Sequence, residues 1–252
     1  MATTRPLDTN QPVLYVPNND LLNKVMTSPV IYVRQNPKCA LCPDTYNVYI
    51  HTAVIGDGNF EVLKDLLFRV VDDACCKFSE SCSVLKFYSS ADDTILYNVA
   101  YPGCCEDCCK DCCSCKSEKS KCCDCKCNNC YTYGAPLHAS YGDNQSSRFG
   151  HYARRFCGDC CCCSYLNSNQ WEFFDNSSNS RYYIEMDCSQ SFSPCMNLYP
   201  LNFHIRSGEQ IIGNVIRSPR GCCGTYTFEI QFPTGLSLED RLLLIAFCCK
   251  QN

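Results

Sequence analysis

Outside two cysteine-dense stretches, the chain alternates short runs rich in Val, Ile, Tyr and Phe with clusters of Asn, Asp, Ser, Gly and Pro. Runs of that length bounded by turn residues read as strands. Before the first stretch they are Val30–Val33, Tyr46–Ile50, Leu66–Val71, Val84–Tyr88 and Ile95–Val99. After the second they are Gln170–Phe174, Arg181–Met186, Leu201–Ile205, Ile211–Ile216 and Tyr226–Phe232. Ser89-Ser-Ala-Asp-Asp93, Asp175-Asn-Ser-Ser-Asn179 and Arg206-Ser-Gly-Glu209 carry turn chemistry between neighbours, so successive strands are expected to pair as hairpins in an antiparallel meander.

The C-terminus departs from this pattern. Ser237-Leu-Glu-Asp240 fits a helix start, with Ser237 as N-cap and carboxylates in the first turn, followed by Arg241-Leu-Leu-Leu-Ile-Ala-Phe-Cys-Cys249. A helix over 237–249 that is apolar on nearly every face must be buried on every face. Its eight apolar residues cover only ~12 Å, far short of a bilayer. Burial inside a closed barrel made by the preceding strands satisfies both constraints and removes exposed sheet edges. The expected fold is therefore all-β with a central helix.

Composition narrows the function classes. A chain of 252 residues that is 46% hydrophobic has material for a real core, which excludes wholesale disorder. Net charge is -4 and pI about 5.6, so no nucleic-acid partner is expected. The 28 cysteines invite a secreted disulfide scaffold, but the opening residues hold no apolar signal segment, and Ala2 removes the myristoylation signal. The chain reads as cytosolic, with mostly reduced thiols.

Twelve cysteines fall between Cys104 and Cys130, five more lie in Cys157-Gly-Asp-Cys-Cys-Cys-Cys163, and eleven are scattered. Catalytic constellations are sparse. His51, His138, His151 and His204 occur singly, His204 reads as a sheet residue, and there is neither a phosphate-cradling Gly loop nor a Gly-x-Ser-x-Gly elbow. No enzymatic activity is expected.

The order and spacing of four blocks resemble the phospholipid scramblase family. They are Phe68–Cys82; Val84–Tyr88, the turn Ser89–Asp93 and Thr94–Val99, then Tyr101-Pro and a cysteine cluster from Cys104; Trp171-Glu-Phe-Phe-Asp175; and Gly213–Arg217 through Phe228–Pro233 and Asp240–Ala246. The similarity spans roughly residues 12 to 249. It implies a tubby-like barrel of about twelve strands around a hydrophobic C-terminal helix, over residues 12–252 after a short tail at 1–11, with a Cys-rich insertion at 104–130. It also implies membrane association, movement of phospholipid across a bilayer without ATP or lipid binding, and a place at the cytosolic face of a plasma or organelle membrane. Membrane phospholipids are the expected partners, with a protein complex or homo-oligomer beside them.

Three departures qualify the resemblance. The family's long Pro-rich arm is replaced by the short tail. Its acidic calcium segment corresponds to Arg217-Ser-Pro-Arg-Gly-Cys-Cys-Gly-Thr-Tyr-Thr227, which has two arginines and no acid, so the Ca2+ implied by the family is not expected here, although Glu239 and Asp240 lie just downstream. The hydrophobic tail of many members is missing after Asn252.

Three chemistries compete for the cysteines. By resemblance, Cys104, Cys105, Cys108, Cys109, Cys112, Cys113 and Cys115 are candidates for S-palmitoylation, with Cys160, Cys161, Cys162 and Cys163 as a second patch. Several acyl chains anchor stably where one does not. By spacing, Cys122, Cys125, Cys127 and Cys130 suit a thiophilic ion, Zn or Cu, and Cys-x-x-Cys pairs recur at Cys39/Cys42, Cys105/Cys108, Cys109/Cys112, Cys112/Cys115 and Cys157/Cys160. The third reading is a solvated insertion whose thiols do little. Vicinal pairs such as Cys75-Cys76, Cys222-Cys223 and Cys248-Cys249 read as core or turn residues. The alternative to a lipid function is a structural or adaptor subunit that uses the barrel as scaffold for a metal-stabilised loop.

Overall fold

The computed structural model of the chain describes residues 20–37, 43–55, 60–74, 83–100, 132–133, 136–143, 147–156, 170–186, 199–220 and 225–251. Helix α1 (Asp20–Thr27) comes first. The strands β1 (Val30–Gln35), β2 (Asp44–Ile55), β3 (Phe60–Ala74), β4 (Ser83–Ser89) and β5 (Ile95–Ala100) follow, matching the first five expected runs. Then come β6 (Thr132–Tyr133), β7 (Leu137–Tyr141), β8 (Arg148–Phe156), β9 (Gln170–Asp175), β10 (Ser180–Met186), β11 (Leu201–Ser207), β12 (Gln210–Arg220) and β13 (Thr225–Gln231), and helix α2 (Leu238–Lys250) closes the chain.

Apart from β6, each strand pairs antiparallel with the next, β5 pairing with β7, and β13 pairs with β1, so the meander closes into a barrel. Two-residue β6 lies on the same edge of β8 as β7, the registers Thr132↔Phe156 and Leu137↔Tyr152 differing by one residue, so the two act as one wall strand. The wall is twelve-stranded, as expected.

Alternation places the core. Ile31 and Val33 of β1, Tyr226, Phe228 and Ile230 of β13, and Leu201, Phe203 and Ile205 of β11 are buried while their neighbours are not. Registers Ile31↔Ile230, Val215↔Ile230 and Phe203↔Val215 carry these side chains around one belt. The belt surrounds α2, whose residues Asp240 to Cys249 are all buried. Phe247 meets Tyr152, Trp171, Phe173 and Phe203 edge-on at 5.2–6.2 Å between ring centroids. Burying side chains of this size contributes about 1.5–3 kcal/mol each. At Gly150 of β8 a Cβ would stand 2.8 Å from the Phe174 carbonyl and 3.0 Å from Leu243 Cδ1, so only glycine lets the helix lie this close to the wall.

The N-cap of α2 is Ser237, whose Oγ accepts from the Asp240 amide at 3.1 Å. Helix α1 plugs the adjoining mouth through Leu21, Leu22 and Val25. Arg241 of α2 holds it there, donating to the carbonyls of Val25 at 3.0 Å and Ser28 at 2.6 Å, with its guanidinium 4.6 Å from the Phe232 ring centroid.

Candidate functional site

An up-and-down barrel sorts its links strictly between two ends, because each strand returns the chain to the end it left. At the α1 end the wall is left and re-entered through the links 28–29, 56–59, 90–94, 142–147, 176–179, 208–209 and 232–237. At the other end the wall is left and re-entered through the links 36–43, 75–82, 101–131, 157–169, 187–200 and 221–224, and α2 ends there.

Every cysteine of the sequence belongs to the second set. Cys39 and Cys42 fall in its first link, Cys75, Cys76 and Cys82 in the next, and the twelve from Cys104 to Cys130 in the third. Cys157 and Cys160–Cys163, Cys188 with Cys195, and Cys222 with Cys223 follow, and Cys248 and Cys249 end α2. The links at the α1 end hold none. Charge is also unequal: Asp57, Asp92, Asp93, Asp143 and Glu209 stand in the α1-end links without a Lys or Arg, whereas bases and acids are mixed at the cysteine end.

The expected site residues themselves lie outside the described residues. This holds for the acylation candidates Cys104 to Cys115 and Cys160 to Cys163, and for the metal candidates Cys122, Cys125, Cys127 and Cys130. What the described strands supply is the end at which each link leaves and re-enters the wall. Cys248 and Cys249 are described. Both thiols are free and fully buried, and burial pushes them well above the usual thiol range, so they are neutral core groups, as read from the sequence. Among the described residues no group of three or more His, Cys, Asp or Glu is placed to hold a metal ion.

The described rim of the cysteine end is braced by charge. Lys250 Nζ bonds Asp72 Oδ2 at 2.7 Å, and Arg217 donates to the Gln251 carbonyl at 3.3 Å while stacking 4.3 Å over Tyr226. Cations at a helix C-terminus complement its dipole. Arg154 lies 5.7 Å over Trp171. Arg217, through its bond to the Gln251 carbonyl, caps the C-terminus of α2. Glu239, which accepts from Tyr141 Oη at 3.0 Å, and Asp240, bonded to Ser237, sit at the opposite end of α2, about 16 Å away along the axis. The fold does not bring those downstream acids to the Arg217 segment. Burial raises the Asp240 carboxyl above its ordinary value, partly offset by Ser237 and Arg181.

The histidines need a correction. Read as single, His138 and His151 are direct cross-strand partners on β7 and β8, their rings stacked at 5.0 Å, with Phe174 stacked on His151 at 4.8 Å. Loss of hydration lowers the pKa of both; the charges of His151 and Arg148 add to it for His138, which falls to about 4, while Asp175 partly offsets it for His151. The pairing was hidden because β7 and β8 were not recognised as strands. His204 is the sheet residue expected, its Nδ1 2.9 Å from Asn214 Oδ1 across β11 and β12.

No helix among the described residues is long and apolar enough to cross a membrane. No family model, curated protein or solved structure matches the chain.

Proposed function

We propose that this chain is a scramblase-like peripheral membrane protein that binds phospholipid at the cytosolic face of a bilayer, with the cysteine end of its barrel towards the lipid. The observation that carries the reading is the segregation of every cysteine-bearing link to one end of the wall. Acyl chains on Cys104 to Cys115 and Cys160 to Cys163 would all emerge on that side, each buried CH2 contributing about 0.8 kcal/mol. The acid-only links of the α1 end face away, since anionic headgroups repel carboxylates.

Because α2 fills the lumen, a lipid headgroup has no route through the barrel. Transbilayer movement then takes place outside the wall, by deformation of a leaflet or between protomers, and needs neither ATP nor bond-making chemistry. The filled lumen equally favours a second reading, a structural or adaptor subunit that presents the cysteine end to a protein partner.

Reconstitution of the acylated protein into vesicles carrying a labelled phospholipid tests both. Accelerated lipid flip, together with hydroxylamine-sensitive acyl label on Cys104 to Cys115, is the expected result. Absence of flip with and without Ca2+ leaves the scaffold reading, and absence of acyl label removes the anchor.

A further inference from the structure

Gln35, Asp44 and Asp72 face inward on β1, β2 and β3 near the cysteine end of the wall. Each stands two residues from a buried core position on its own strand, Val33, Tyr46 and Val70 respectively, and side chains two apart on a strand share a face. Register Asp44↔Asp72 sets the two carboxylates directly opposite, and Gln35↔Tyr46 puts Gln35 one diagonal step from Asp44. Opposite Cβ atoms stand about 4.5–5.5 Å apart and diagonal ones about 7–8 Å, separations that side chains of this length cover.

The end of α2 floors this corner, where Lys250 Nζ takes Asp72 Oδ2 at 2.7 Å. Asp72 Oδ1 is left over: it is buried and has no hydrogen-bond partner among the described residues. Gln35 points to the same corner independently. The residue is 8% exposed and uncharged, and its Oε1 is likewise buried with no hydrogen-bond partner among the described residues. A buried acceptor that no donor meets costs free energy, and native folds rarely leave one so. Both atoms are oxygens, so the group that completes them carries positive charge or a donated proton, never a lone pair.

We propose that Gln35, Asp44 and Asp72 form a binding site for a hard divalent cation inside the cysteine-end mouth of the barrel. Two carboxylates and an amide carbonyl are the oxygen donors that such ions take, with Ca2+–O distances of about 2.3–2.6 Å. The cation and the Lys250 ammonium compete for Asp72. Binding therefore relaxes the bond that braces the end of α2 and ties β1, β2 and β3 to one another instead. The donors lie on the wall, outside the Arg217–Thr227 segment, and none is an acylation candidate, so the site stands whether or not the protein is lipid-anchored.

The test uses the full chain stripped of metal, with Tb3+ as probe, because Tyr46 stands opposite Gln35 and can pass its excitation to a lanthanide bound there. Tyrosine-sensitised emission should appear on titration and be displaced by Ca2+. Gln35→Met and Asp44→Asn keep the shape of their side chains while removing an oxygen donor and a charge. Each should weaken Tb3+ binding roughly tenfold or more, since ligand number and charge set the affinity of such sites. Lys250→Met, which removes the competing ammonium, should tighten it. Absence of emission, or affinity unchanged in both donor variants, would overturn the proposal. Should the variants fail to fold, amide exchange on the wild-type chain serves instead. Ca2+ should slow it in β1, β2 and β3 but not in β9 and β10, and exchange unmoved by Ca2+ sinks the idea.

Discussion

The two ends of this barrel close in different ways. The α1 end is finished by short turns whose polar side chains bond their own backbone. Asp175 Oδ1 accepts from the amides of Ser177 and Asn179, each at 2.9 Å, and Asp92 Oδ1 accepts from the Thr94 hydroxyl at 2.9 Å. Arg69 reaches Asp93 at 2.7 Å. Bonds from the Ser89 and Thr94 side chains hold Asp92, and bonds from Asn179 and the Ser177 amide hold Asp175, below the ordinary carboxylate range, because each favours the ionised form. The cysteine end is joined by longer links, one of them spanning 101–131, in which cysteine takes the place that Asp and Ser hold opposite. Chain reversal at one end is solved locally, by turn chemistry. At the other end our proposed function gives the links a second chemistry, acylation, for which the barrel is the platform.

Four perturbations probe this contrast, beginning with the element that both ends share. Phe247→Ala removes the ring that four wall aromatics enclose and should cost about 3–5 kcal/mol in denaturant unfolding. A loss below ~1 kcal/mol would mean that α2 is not what holds the wall together.

Acid is the next largest. His138 and His151 have folded pKa values below the ordinary imidazole value, so the unfolded chain binds more protons and stability falls with falling pH. The loss should accrue between about pH 6.5 and 4 and level off below, for His138 on the order of 1–2 kcal/mol after allowance for solvent screening at this half-exposed site. His138→Gln with His151→Gln should flatten that part of a stability-against-pH curve, and an unchanged slope would assign it to other groups.

Asp175→Ala deletes the acceptor of the β9–β10 turn and should cost about 1 kcal/mol, seen as a lowered thermal midpoint. The smallest change is expected at the other end. Exchanging residues 104–130 for a Gly/Ser link of half the length should alter stability by only ~0.6 kcal/mol, in the stabilising direction, through loop-closure entropy. Circular dichroism should show an intact barrel while vesicle binding is lost. Collapse of the fold would contradict the separation of wall from links.

Much of the wall was readable beforehand, since a strand with one face inward alternates with period two and a helix buried on all sides is apolar on all sides. The ten expected strands and the Ser237 N-cap follow from that. Strands β7 and β8 escaped because Leu-His-Ala-Ser-Tyr and Arg-Phe-Gly-His-Tyr-Ala-Arg-Arg-Phe put Gly, Ala, Ser and His where Val and Ile usually sit. Gly150 is bare because the Phe174 carbonyl and Leu243 crowd the wall there, and its cross-strand partner Ala139 is buried. Helix α1 escaped as well: in eight residues Leu21, Leu22 and Val25 make one buried patch, too little for a periodic signal.

The candidate site divides in the same way. Local spacing alone revealed the Cys104–Cys130 and Cys157–Cys163 clusters and the absence of acid between Arg217 and Thr227. Tertiary structure alone decided that the links carrying the scattered cysteines leave the wall at the same end as those carrying the clusters, that His138 meets His151, and that Glu239 and Asp240 lie a helix-length from Arg217. The reason is one of range. Hydrophobic period is set within a few residues of any position, whereas the end at which a link emerges depends on every strand before it pairing in order and on β13 returning to β1.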